Sequence, residues 1–177
     1  MSIPEVSSRD RLLAFLQEYY QGPGAIVGYR RYTSAATSTS TATATMDYVD
    51  GAGDKVFLSF VAPPSGVVEL VASVFLNPGA TNYAMFGLSD NGTTWSTYTP
   101  IGDPTDTSYY VFLSDAQDLL YMTARWVLPG LTPGQSYTFY LGFSRPSGSL
   151  TVYWGGNYGP LVLKATALPN DTVLTTS

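Results

Sequence analysis

The chain has 177 residues, 45% of them hydrophobic but only 12% charged, with a net charge of −5. That charged share is about half the ~25% of an ordinary soluble domain, and with eight basic residues and one adjacent basic pair, Arg30–Arg31, no stripe exists to neutralise phosphates, so no nucleic-acid partner is expected. The absence of His and Cys removes Ser-His-Asp triads, thiol nucleophiles, zinc centres and disulfides, leaving carboxylates as the only acid–base chemistry.

The first residues show no long apolar core behind a basic region, so no secretory signal is expected. No run approaches the ~18 apolar residues of a membrane span. Over residues 8–21, Leu12, Leu16 and Tyr19, with Leu13 and Tyr20, form an apolar stripe of helical spacing. Ser7 or Ser8 can cap this helix, and Gly22-Pro23-Gly24 stops it. A helix of about 13 residues is marginal alone in water, so Leu12, Leu16 and Tyr19 are expected to pack on this chain's own fold or on a partner.

From residue 26 onward the pattern changes to short strands separated by Gly, Pro, Asn and Asp. The expected strands are 26–32, 37–49, 55–61, 67–76, 83–88, 94–101, 109–113, 119–128, 135–144, 149–154 and 161–167. Within the second lies TSTSTATAT, residues 37–45, which reads either as a linker or as a strand. Strict alternation is the strand period, and Thr suits a pleated surface, which favours a strand with one Thr face against a tightly packed neighbour. Residues 67–76 are apolar on both faces, where an antiparallel strand with one wet face should alternate. A second cover is therefore expected, and another subunit is the favoured one, with Val67, Val71 and Phe75 as interface residues. In GLTPGQSY, Leu131, Pro133 and Tyr137 have the spacing of a tyrosine corner, a device of Greek-key sandwiches.

For chemistry, a glycosidase would need two facing carboxyls. The close acidic pairs, Asp50/Asp54, Asp103/Asp106 and Asp115/Asp118, sit in turns, where Asp bonds its own backbone. Glu69 lies among apolar residues and would pair with an Arg or face solvent. No calcium-loop or phosphate-loop spacing occurs, so no metal and no cofactor are expected. Aromatics fall near strand ends and turns: Trp95, Tyr98, Tyr109, Tyr110, Trp126, Tyr153, Trp154 and Tyr158. They fill a core or an interface, or form a sugar-binding platform. For the platform, Trp95, Trp154 and Tyr158 are the candidates, the last two in WGGNYG.

Three stretches together, DYVDGAGDKVFLSFVAPPSGVVELVASVFL, YAMFGLSDNGTTW and GLTPGQSYTFYLGFSRPSG, resemble small virion proteins of tailed bacteriophages. GYRRYTS is similar to the segment that leads into such domains in minor tail proteins. The resemblance spans roughly residues 28–168. It implies an oligomeric β-sandwich on the head or tail, anchored by a short N-terminal arm.

The expected architecture is thus all-β, an antiparallel sandwich of Greek-key or jelly-roll type, with an arm and helix (1–31), a sandwich (32–168) and a tail (169–177). The expected role is a non-enzymatic virion protein, assembled in the host cytoplasm, that decorates or attaches to capsid or tail. Its expected partners are itself, as a homotrimer, and a major capsid or tail protein, with no membrane partner. The alternative is a receptor- or carbohydrate-binding module that reads a host surface glycan through Trp and Tyr loops.

Overall fold

The computed structural model describes residues 22–40, 46–51, 53–77, 83–95, 109–113, 120–145 and 150–170. The expected helix, with Leu12, Leu16 and Tyr19, lies outside them, as do residues 171–177, most of the expected strand 94–101, and the pairs Asp103/Asp106 and Asp115/Asp118.

The described chain is all-β and antiparallel. Its strands are β1 (Ile26–Tyr32), β2 (Ala36–Ser40), β3 (Asp47–Tyr48), β4 (Asp50–Gly51), β5 (Asp54–Lys55), β6 (Phe57–Val61), β7 (Val68–Asn77), β8 (Tyr83–Ser89), β9 (Tyr109–Leu113), β10 (Leu120–Leu128), β11 (Ser136–Ser144), β12 (Leu150–Trp154) and β13 (Leu161–Ala167). A 6-stranded sheet runs β1-β13-β7-β12-β2, with β10 on the remaining edge of β7. A 5-stranded sheet runs β3-β11-β8-β9, with β6 also on β11. β4 and β5 form a small hairpin.

The register simplifies this picture. β10 occupies one edge of β7 from Val68 to Leu76, so β13 and β12 must share the other edge, end to end. β1 and β2 follow them as a second broken line, paired with β13 and β12 respectively. In the other sheet, β8 takes one edge of β11, and β3 and β6 share the opposite edge, with the β4–β5 hairpin looping out between them. Each sheet therefore has four strand lines. Numbered along the chain, the larger sheet reads first, eighth, third, sixth, and the smaller reads second, seventh, fourth, fifth. That order is the jelly roll, two interlocked Greek keys in a double sheet. The sandwich takes in β1, so residues 26–31 belong to it rather than to the arm; their pairing with β13 is the reason.

The core lies between the sheets. Phe139, Leu141 and Phe143 alternate inward from β11 and are fully buried, opposite Leu70, Ala72, Val74 and Leu76 of β7. Phe139 stacks with Phe60 at 5.9 Å, and Phe143 with Phe86 at 6.4 Å. Each such ring contributes about 1.5–3 kcal/mol by leaving water. The tyrosine corner is present: the Thr132 N–H donates to the Tyr137 hydroxyl at 2.9 Å.

The edge between the first and second lines is closed by polar groups. In β2 the Ser face points in and the Thr face points out: Ser38 and Ser40 are buried, Thr37 and Thr39 exposed. Ser40 Oγ donates to Asp47 at 2.5 Å, and Ser38 Oγ accepts from the Asp50 N–H at 3.0 Å. The Tyr32 hydroxyl donates to the Phe57 carbonyl at 2.8 Å and accepts its N–H at 2.7 Å. Arg30 places its guanidinium 3.8 Å from the centre of the Phe57 ring. Residues 37–49 were expected as one strand. Instead β2 belongs to the larger sheet and β3 to the smaller, with residues 41–45 outside the described set.

The double apolarity of β7 has its cover within the chain, which corrects the expectation of a subunit contact at Val67 and Val71. Val67 is 6% exposed and Val71 9%. Arg125 and Lys164 flank Val71 in register on either side, and the aliphatic stems of such side chains cover apolar neighbours while their charges stay in water. Glu69 pairs with Arg125 of the same chain at 3.4 Å.

Candidate binding surfaces on the two outer faces

No catalytic constellation forms among the described residues. They contain no group of three acidic side chains able to hold a metal ion. Asp50 and Asp54 lie on the β4–β5 hairpin, and Asp50 bonds Ser38. Among the described residues, no helix is long and apolar enough to cross a membrane.

The candidate aromatics separate onto opposite faces. Trp95 lies on the outer face of the smaller sheet, against Gly142, where any side chain would collide with its indole. It meets Tyr48 edge-on at 5.3 Å, and Tyr48 in turn meets Tyr140 at 6.0 Å. The Lys55 ammonium sits 3.7 Å from the centre of the Tyr48 ring and donates to the Gly92 carbonyl. The Tyr48 hydroxyl donates to the Asn91 carbonyl at 2.6 Å. Burial pushes the Tyr48 phenol above its ordinary pKa, with Ser89 opposing and Tyr140 adding to the rise. This cluster closes on itself: the turn at residues 89–95 is pinned by Asn91, whose side-chain oxygen accepts from the Thr93 N–H at 2.9 Å. Trp95 here pins a loop.

Trp154 and Tyr158 belong to the larger sheet, where the β12–β13 line is interrupted. Between Tyr153, paired with Phe75, and Val162, paired with Ser73, the chain makes an excursion through residues 155–160. A single turn of 3-10 helix, Gly156–Tyr158, shapes it. The Gly155 N–H donates to the Gly159 carbonyl at 2.6 Å, and the Tyr158 N–H to the Gly155 carbonyl at 3.0 Å. Gly155 has φ 68° and packs so closely on the facing break at residues 33–35 that a Cβ would meet the Thr33 carbonyl and, at 2.6 Å, the Ala35 nitrogen. Only glycine supplies both the left-handed backbone and this approach.

An open cleft of about 460 Å³ lies beside the excursion, between Ala35–Thr37 and Trp154–Tyr158. Trp154 is 4% exposed and belongs to the core cluster, so it forms the floor and cannot serve as an exposed stacking platform, as expected of it from sequence. Tyr158 is partly buried and packs on Tyr153 at 4.7 Å.

Tyr153 continues into a row that local sequence does not signal. It pairs across the sheet with Phe75, and Phe75 pairs with Tyr121, their rings 4.8 Å apart. Tyr121 is 56% exposed. The outer face thus carries Tyr158, Tyr153, Phe75 and Tyr121 side by side, with exposed Thr37 opposite Tyr153 on the other side. Phe75, expected at a subunit interface, is a member of this row. The flanking rungs carry Thr39, Thr151 and Asn77 on one side and Thr123 and Ser73 on the other.

Comparison with protein-family models gives no match, and comparison with curated proteins gives none either.

Proposed function

We propose that the chain is a structural protein of a tailed-bacteriophage virion. In this reading it is a non-enzymatic jelly roll that assembles as a homotrimer, decorates or attaches to the capsid or tail, and reaches the particle from the host cytoplasm. The observation that carries it is an exposed apolar pair, Ile26 and Tyr29, on the outer face of the first strand. Among the described residues, Ile26 (59% exposed), Tyr29 (57%) and Val61 (40%) are three of the four large exposed hydrophobics. Ile26 and Tyr29 lie together on the outer face of the larger sheet, opposite Thr166 and Lys164 of β13, whereas Val61 faces outward from the smaller sheet. An exposed apolar patch on an otherwise hydroxyl-coated surface marks a contact site, and closed cyclic assembly hides it. The sequence resemblance to phage virion proteins supports the same reading. The jelly roll is shared by viral capsid domains and lectins, an analogy of fold that by itself selects no function.

Light scattering tests the assembly. The full chain is expected at three times its chain mass, and the double variant Ile26→Ser/Tyr29→Ser at one. A folded monomeric wild type would sink the trimer. Mass spectrometry of particles shed by the producing host should find the chain at many copies per particle; its absence from them would refute the virion role.

A further inference from the structure

We infer that the cleft beside residues 155–158, together with the tyrosine row leading from it, binds a neutral oligosaccharide. Three observations converge. First, the cleft is built in advance. Its glycine-shaped wall is locked by two backbone hydrogen bonds and by close packing of Gly155 on the facing strand break. A wall ordered before binding loses little freedom when a ligand arrives. The volume of about 460 Å³ falls within the ~300–1,000 Å³ of small-ligand sites.

Second, the surface alternates between rings and hydrogen-bonding groups, as a pyranose does. A sugar ring offers C–H groups on its faces and hydroxyls around its rim. Tyrosine presents an apolar ring with a polar tip. Tyr158, Tyr153 and Tyr121 supply the rings, and exposed Thr37 and Asn157 supply donors and acceptors beside them. The row from Tyr153 through Phe75 to Tyr121 crosses three strands, a span of about 10 Å at the usual strand spacing. That length suits a chain of sugars rather than a single ring, with one end in the cleft.

Third, the described lining carries no charge. Among the described residues, none of the eight around the cleft is ionisable except Tyr158. Among the described residues of the adjoining rungs the groups are Thr, Ser, Asn and Val, and the one ion, Arg31, stands at the sheet edge two strands from Phe75. An anionic sugar would find no fixed counter-charge among the described residues of the cleft, whereas a neutral one has only hydroxyls to desolvate, and Thr37 and Asn157 can partner these.

The test is a glycan array of neutral and acidic oligosaccharides probed with the full chain, followed by calorimetric titration of the strongest hit. A neutral glycan should bind. Its Kd should rise about tenfold or more, roughly 1.4 kcal/mol, in Tyr158→Ala and in Asn157→Ala. Asn157 is exposed, so its variant keeps the fold even where loss of the Tyr158 ring loosens the excursion. Tyr48→Ala, on the opposite sheet, should bind as wild type does. Binding of acidic glycans alone, binding of no glycan, or binding indifferent to both Asn157→Ala and Tyr158→Ala would each overturn the inference. None of these outcomes bears on assembly, because light scattering reads the pair Ile26 and Tyr29 independently.

Discussion

Tyr32 shows how much one hydroxyl can hold. It both donates to and accepts from the backbone of Phe57, stitching the first strand line of one sheet to the second line in the other. Burial raises its pKa above the ordinary 10.0; the Phe57 hydrogen bond and Arg30 pull the other way, and Asp54 adds to the rise. The folded state therefore favours the neutral phenol. The stability from this preference is fully present below the unfolded pKa near 10.0 and is lost as pH rises through it towards the higher folded value. Tyr32→Phe strips Phe57 of both partners and should cost about 1–3 kcal/mol at neutral pH. It should also lessen the alkaline loss. Urea unfolding across the alkaline range reads both effects, and parallel wild-type and variant curves would refute the assignment. Tyr137→Phe, at the corner over Thr132, should cost about 0.5–1.5 kcal/mol in urea unfolding at neutral pH.

Among elements, the broken β12–β13 line is the most informative. Gly155→Ala asks for a left-handed alanine and for space that the Thr33 carbonyl and Ala35 nitrogen already fill. Gly134 is a matched control, with φ 79° but nothing near its missing Cβ. Gly134→Ala should cost about 1–2 kcal/mol, the left-handed penalty alone. Gly155→Ala should cost more, on the order of 3 kcal/mol or above, and equal losses in thermal denaturation would mean that the excursion is loosely seated. The contrast explains what was legible in the sequence. β1, β9 and β13 fall on the bounds that local alternation and turn residues give, and the Tyr137 corner is legible because its partner is five residues away. The aromatic row was not, because Tyr121, Phe75 and Tyr153 meet only through the register of distant strands. The burial of Val71 was missed for the same reason: its register neighbours Arg125 and Lys164 come from separate strands. For Trp154 the sequence leaves core and surface platform open, and β12 alternation turns it inward.

At the scale of the molecule, the first strand pairs with the last, β1 on β13, so the larger sheet cannot close until the whole jelly roll is assembled. Such non-local pairing favours slow folding, on the millisecond-to-second scale. It also ties down the start of the described chain. The Gly24 N–H donates to the Ala167 carbonyl at 2.7 Å, and the Ala167 N–H to the Ala25 carbonyl at 2.8 Å. The buried cluster among the described residues spans both sheets. A chain lacking residues 1–21 should therefore keep its thermal midpoint to within about 4 °C, a change of no more than ~1–2 kcal/mol for a domain of this size. If the N-terminal segment is the anchor, the shortened chain should lose co-sedimentation with particles while its unfolding curve stays put. A midpoint lowered by more than about 8 °C would instead make residues 1–21 part of the jelly roll's own cover. The exposed pair Ile26 and Tyr29 would then be where that cover sits, and the trimer would have to form elsewhere on the molecule.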